Sequence, residues 1–399
     1  MPIHRRQDPI TPERFEARGR FEARGRFDAR GRFEALDSLR GLAALVVVVN
    51  HCLNLFPPFG GFGASQTVYV MNPVVVWLLR SPLSLLWDGR AAVALFFVLS
   101  GFVLALPWFR GRPPAYGSFV IRRFCRIYLP YAAAIGLAMA LAASLAGLRP
   151  PPLSLWFDAA NWVEPVSWPA IMDHLLMLGW HNTFDNAVWS LDHEMRISLI
   201  FPLLMLPIMR FGLTGAAILA VGLYGAAGAI THFAGWHGAP AEVAASLRFG
   251  MFFVLGATLA SSADRLAAGR SRWFEPAAWG ALGLGLLLLW VGREPAVSAV
   301  GSSLVILAVI LPGRIRNALM RPAPRALGRV SYSLYLTHLL VILSAVHLLH
   351  TYLPLPVIAG GAFLTALPAA WIFYRWIEAP SNQLGRRLVR ADRSQPVAA

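Results

Sequence analysis

Lysine is missing from this chain of 399 residues, and all 35 basic residues are arginine. Charge of either sign is scarce, at 14% of residues, against about 25% in a soluble globular protein. With 57% of the residues hydrophobic, that scarcity excludes an ordinary soluble enzyme and indicates a polytopic membrane protein. The net charge of +15 does not mark a nucleic-acid partner, because the arginines sit in short connections between apolar runs. Cysteine is nearly absent. Cys52 and Cys125 fall near opposite ends of the expected spans, so no disulfide between them is expected. A cleavable signal is also missing: the first apolar run begins only near Leu36, is long, and has no A-x-A site. His174 and His181 lack a supporting cysteine or an H-E-x-x-H pattern, so no metal is expected.

What is present is a series of apolar runs, and the expected fold is all-α, a polytopic integral membrane protein of about ten transmembrane helices. The spans read as 37–56, 91–109, 127–147, 189–209, 212–232, 246–261, 275–292, 296–311, 330–349 and 355–376. With the N-terminus placed inside, 29 arginines fall on the cytosolic side, five outside, and Arg196 within a span. That asymmetry puts both termini in the cytosol and the protein in the inner (plasma) membrane. Residues 1–35 form a basic cytosolic arm, 36–380 the membrane domain and 381–399 a cytosolic tail. The arm repeats a hexad four times (RFEARG, RFEARG, RFDARG, RFEALD). A period of six makes no apolar stripe, so the segment reads either as a neutral expansion or as a basic patch held to anionic lipid.

Two outer connections are long. Val68 to Leu79 reads as interfacial or re-entrant. Arg149 to Val188 carries Trp156, Trp162, Trp168 and Trp180 among carboxylates, which suits either an interfacial aromatic belt or a sugar-binding surface.

The first span carries the strongest chemical signal. Arg40 and His51 are eleven residues apart, close to three helical turns, so they share a face and lie roughly 16 Å apart along the axis. Ionisable side chains inside a bilayer are costly and mark function. Glu194 lies about five residues into the fourth span, which places it at a depth similar to His51. Histidine with a carboxylate to orient it is a general-base arrangement, so His51 and Glu194 are the expected catalytic pair. Arg123 and Arg126, three apart, face one way near the inner end of the third span, where Arg40 also lies, and arginine suits phosphate. Tyr335 and His338 are likewise three apart and are placed on the inner half of the ninth span, where they read either as lining one cavity or as packing. Cys52 adjoins His51 but points about 100° away, as neighbours on a helix do, and reads as packing.

These residues fall in a recognisable order. Leu36-Asp37-Ser38-Leu39-Arg40-Gly41 leading to His51 resembles the first span of the acyltransferase 3 family. Phe96-Phe97-Val98-Leu99-Ser100-Gly101-Phe102 and Arg122-Arg123-Phe124-Cys125-Arg126-Ile127-Tyr128 are similar to its second-span and arginine motifs. Trp189-Ser190-Leu191 with Glu194, then Ser331 through His338, then Trp376-Ile377-Glu378-Ala379-Pro380 complete the set. The family often has a second acidic residue after the glutamate, where this chain has Met195.

The resemblance implies a membrane O-acyltransferase for cell-surface glycans or other extracytoplasmic acceptors. The donor implied is acyl-CoA, acetyl-CoA in the first instance, bound as a substrate through Arg40, Arg123 and Arg126, with no permanent cofactor. Trp189, Ser100, Tyr335 and His338 are then expected on substrate. The expected partners are membrane lipid, acyl-CoA and a carbohydrate or other hydroxyl acceptor. The alternative is a multi-span transporter or flippase for a lipid-linked sugar, although no internal repeat of the kind common in transporters is legible.

Overall fold

The computed structural model describes residues 33–61, 72–145, 147–162, 166–180, 184–235, 237–292 and 294–394. The first three copies of the hexad repeat, Glu164, His181 and residues 62–71 lie outside the described residues, and the fourth copy, from Phe33 on, runs into α1. The chain is all-α, with no strand among the described residues. In order, the principal helices are α1 (Glu34–Asn54), α2 (Pro73–Arg80), α3 (Gly89–Phe109), α4 (Tyr116–Leu145), α5 (Leu155–Ala160), α6 (Trp168–Leu176), α7 (Trp189–Ala234) and α8 (Gly238–Ala268). There follow α9 (Phe274–Val291), α10 (Pro295–Ile310), α11 (Arg314–Leu319), α12 (Pro322–Leu349), α13 (Leu355–Phe373) and α14 (Ala379–Ser394).

Among the described residues, eight helices are long and apolar enough to cross a bilayer by length and composition, against the about ten expected. The protein is a multi-pass membrane protein. Two features account for the difference from ten. The expected fourth and fifth spans are counted together in α7, whose 46 residues are two helices meeting at Gly212, where φ and ψ are not helical. At 1.5 Å per residue one unbroken helix of that length would greatly exceed the hydrocarbon thickness, and the φ of 59° at Gly212 suits glycine. The expected eighth span is α10, apolar but only 16 residues long. It is packed inside the bundle through Ala299, Ser302, Val305 and Ile306.

Local sequence sets the ends. Asp88 caps α3 by accepting from the backbone N–H groups of Arg90 and Ala91. Asn72 caps α2, which has proline at its first turn. The expected interfacial segment is this short helix, whose Val74 and Trp77 are exposed. The arginine-rich tail continues as helix α14.

Two close crossings fix the centre. A Cβ on Gly41 of α1 would lie 2.6 Å from the backbone nitrogen of Gly328 on α12, and one on Gly328 would lie 2.5 Å from the Asp37 carbonyl oxygen. Likewise Gly101 of α3 and Gly256 of α8 each face the other helix's backbone. Without hydrophobic attraction between spans in lipid, such small-residue contacts let backbones approach and gain dispersion energy. Both α1 and α12 run away from the glycine crossing in the same sense. His51 is ten residues beyond Gly41 and His338 ten beyond Gly328, so the equal rise per residue brings the two imidazoles to one height.

Candidate active site

Three cavities lie in series along the bundle. At the end where α1 begins, a cavity of about 770 Å³ is lined by Arg40, Arg110, Arg112, Arg122, Arg123 and Arg126, with Asp37 and Trp108. Arg40 is paired with Asp37 at 3.3 Å and Arg110 with Asp264 at 2.8 Å. Arg126 makes no hydrogen bond among the described residues, which leaves its guanidinium available to an anion. Phe124–Tyr128 forms a π turn within α4. Such turns depart from the i→i−4 ladder and recur at functional sites. Here the Ile127 carbonyl accepts a hydrogen bond from the Tyr332 hydroxyl at 2.8 Å. A second π turn, Tyr374–Glu378, brings Glu378 to Ser333, whose hydroxyl donates to it at 2.6 Å. The tyrosine–histidine motif is therefore joined to the arginine motif side chain to backbone and to the closing motif side chain to side chain.

A narrow neck of about 70 Å³ follows, sharing Arg40, Arg123 and Arg126 with the first cavity and adding Ser100, Ser190, Glu194, Tyr332 and Tyr335. The Ser100 hydroxyl donates to Glu194 at 2.9 Å, and Arg123 lies 3.8 Å from the same carboxylate oxygen. Arg123 is buried, and the carboxylate offsets the cost of keeping its charge there. Tyr335 donates to the Ala187 carbonyl at 2.5 Å, and its oxygen lies 2.7 Å from the Ser190 hydroxyl.

Beyond the neck a vestibule of about 1140 Å³ opens at the other end. Val93 and Tyr335 belong to both. Trp87, Trp189, Trp290 and Phe59 give it aromatic faces, and Asn50, Asn54, Asp88 and Arg90 give it polar groups. His51 lies in its wall. Its Nδ1 is 2.7 Å from Nε2 of His338, with the ring planes 11° from parallel. On its other side Trp156 stacks at 5.0 Å and 20°. Trp156 comes from α5, in the long connection, which is clamped to the bundle. The Ser154 hydroxyl donates to the Asn54 carbonyl at 2.6 Å, and His347 meets the Leu148 carbonyl and Asn161 at 2.7 and 2.6 Å.

The expected pairing of His51 with Glu194 is not what the structure holds. Glu194 is five residues past Trp189 on α7, a rotation of about 140° from it. Trp189 faces the vestibule while Glu194 faces the neck, among arginines. The imidazole partner is His338, which lies level with His51 rather than on the inner half of its span. Both His338 ring nitrogens are engaged, Nδ1 with the Leu334 carbonyl at 3.0 Å, and the ring is fully buried.

A family model described as an acyltransferase domain, Acyl_transf_3, matches residues 33–375, which spans all three cavities. The chain belongs to the acyltransferase 3 family. Comparison with curated proteins and with solved structures gave no match. In this acyltransferase 3 protein the expected arginines Arg40, Arg123 and Arg126 converge on one cavity, Ser100 joins Glu194 in the neck, and Trp189 and Tyr335 line the route to His51. Trp156 was expected only as one of several tryptophans of the long connection, and Asn50 was not singled out; the first stacks on His51 and the second donates to the Trp87 carbonyl at 2.8 Å. One signal for the histidine pair was present in the sequence of this family member: the identical ten-residue spacing from glycine to histidine in two separate spans.

Proposed function

We propose that this protein transfers an acyl group, acetyl in the simplest case, from cytosolic acyl-CoA to a hydroxyl of an extracytoplasmic carbohydrate. The observation that carries this is the series of cavities, with arginines at one end and His51 at the other. The excess of arginine at the first end supports placing it at the cytosolic face of the plasma membrane. There the donor phosphates rest on Arg123 and Arg126, with Arg40 beside them. Its acyl thioester reaches up the neck toward His51, roughly 16 Å farther along α1.

An acceptor hydroxyl enters from the vestibule, whose tryptophans and amides offer the stacking faces and hydrogen bonds a sugar uses. His51 takes the hydroxyl proton as the oxygen bonds to the thioester carbonyl carbon. The C–S bond breaks, the ester forms, and the imidazolium returns the proton to the departing thiolate. Cys52 is buried, which favours direct transfer over an acyl-cysteine. Cavities in series also suit a transporter, and the test separates the two. Purified protein in detergent, given labelled acetyl-CoA and a glycan acceptor, should form labelled ester without any gradient. His51→Ala should lower the rate by about 10²- to 10⁴-fold while donor binding persists. No transfer by the wild type, or wild-type transfer by His51→Ala, overturns the proposal.

A further inference from the structure

We propose that His338 is a positioning residue that holds His51 in the one neutral tautomer able to act as a base toward the vestibule. This rests on the function proposed above.

The argument begins at a backbone carbonyl, which can only accept. The Leu334 oxygen lies 3.0 Å from His338 Nδ1, so that nitrogen carries the hydrogen. A neutral imidazole has one N–H and one bare nitrogen, which leaves Nε2 of His338 as an acceptor. Nε2 faces Nδ1 of His51 at 2.7 Å, so Nδ1 of His51 donates. The bare nitrogen of His51 is then Nε2, which has no protein partner among the described residues and belongs to a ring lining the vestibule. The chain of donors thus runs from His51 to His338 to the carbonyl, and leaves one lone pair free at its open end.

Ring geometry supports this. The centroids are 5.0 Å apart with planes 11° from parallel. An in-plane bond of 2.7 Å plus the two ring radii accounts for the whole separation, so the rings lie side by side rather than face to face. The reverse arrangement has His338 donating through Nε2 to His51. It would turn a bare Nδ1 toward the Leu334 oxygen, acceptor against acceptor, and put the hydrogen on His51 Nε2, where a base needs a lone pair. Trp156, stacked on His51 at 20°, restrains the ring's tilt. His338 thus does for His51 what a buried carboxylate does for a catalytic histidine in a triad, through orientation and tautomer, but it brings no negative charge into the membrane.

The test uses full-length protein in detergent. His338→Leu removes the acceptor; His338→Gln restores an acceptor oxygen at about the reach of Nε2. Expected is a fall in kcat of about 10²-fold or more for His338→Leu, with KM for donor and acceptor within about threefold. His338→Gln should recover at least about tenfold of the loss, since rescue by an acceptor is what a packing role would not give. Nitrogen-15 NMR of histidine-labelled protein, with His51→Ala as the assignment control, should show His51 protonated at Nδ1 in the wild type. In His338→Gln, which retains the acceptor, that signature should persist. Wild-type His51 protonated at Nε2, or unchanged kcat in His338→Leu, overturns the inference. If wild-type protein transfers nothing yet His51 carries its hydrogen on Nδ1, the proposed function fails and the tautomer assignment stands. If His51→Ala abolishes transfer and His338→Leu does not, the reverse holds.

Discussion

The arginine end and the histidine end of this protein solve different problems with different means. At the arginine end, six guanidinium groups line one cavity, and their fork geometry lets several orientations of a phosphate be accepted. Recognition there tolerates some looseness. At the histidine end, one ring is held by another, that one by a carbonyl, and the first also by an indole. Function there depends on a hydrogen occupying one nitrogen and not its neighbour. On the function proposed above, charge in excess would serve capture of the donor, and single hydrogen bonds in series would serve the chemistry.

The sharpest way to break this comparison is at the arginine end. Arg123→Ala with Arg126→Ala removes two donors of charge-assisted hydrogen bonds, each worth about 1.5–3 kcal/mol. Acyl-CoA affinity should fall by about 10²-fold or more, measured by calorimetry on purified protein, while acceptor binding in the vestibule is unaffected. Replacement by lysine should recover only part of it, because an ammonium keeps the charge but not the fork. Unchanged donor affinity in the double alanine variant would mean that this end does not capture the donor.

A smaller effect is expected where the two ends are mechanically linked. Gly41 and Gly328 set the heights of His51 and His338. Gly41→Val places methyl groups where α12 backbone already lies, so the helices must separate. A core overpacked in this way costs typically about 1–3 kcal/mol. We expect a lower melting temperature and a loss of transfer larger than the loss of donor binding. Equal losses of both would show that the crossing does not position the dyad.

Most of the arginine end was legible in the sequence, because its logic is periodic and local. Arg40, Arg123 and Arg126 sit near span ends, and helical spacing is enough to place them on one face. The helical class was legible from hydropathy alone. The histidine end was not, because its partners are 287 residues apart and hydropathy carries no information on which helices touch. Depth counted from estimated span ends put Glu194 beside His51. The rotation of α7 after Trp189 decides otherwise, and which neighbours each face of that helix meets is not written in its hydropathy. The number of spans is legible only to about ten for a similar reason. Apolar windows do not show how the two helices of α7 meet at Gly212, or that the expected eighth span is a helix of only 16 residues.

The smallest expected effect concerns what supports the histidine end from beneath. Asp185 lies in the turn before α7, fully buried. One oxygen accepts from the Ala187 N–H at 3.0 Å, and the other has no partner among the described residues. Burial outweighs that hydrogen bond and pushes the carboxyl up to about 7. The unfolded chain holds the same group near 3.8, so between these values the folded form binds a proton that the unfolded form does not. Stability from this group is therefore full below about 3.8, falls as pH rises, and levels off above about 7. Asp185→Asn keeps an oxygen for the Ala187 N–H and removes the titration. Melting curves in detergent from pH 5 to 8 should show the wild type losing ground to Asp185→Asn as pH rises, by a few kcal/mol at most. The Tyr335 hydroxyl anchors on the Ala187 carbonyl at 2.5 Å, so the same turn carries the wall shared by neck and vestibule. A difference between the two proteins that does not change with pH would show that Asp185 is not the group being titrated and that the turn under the vestibule is held by packing alone.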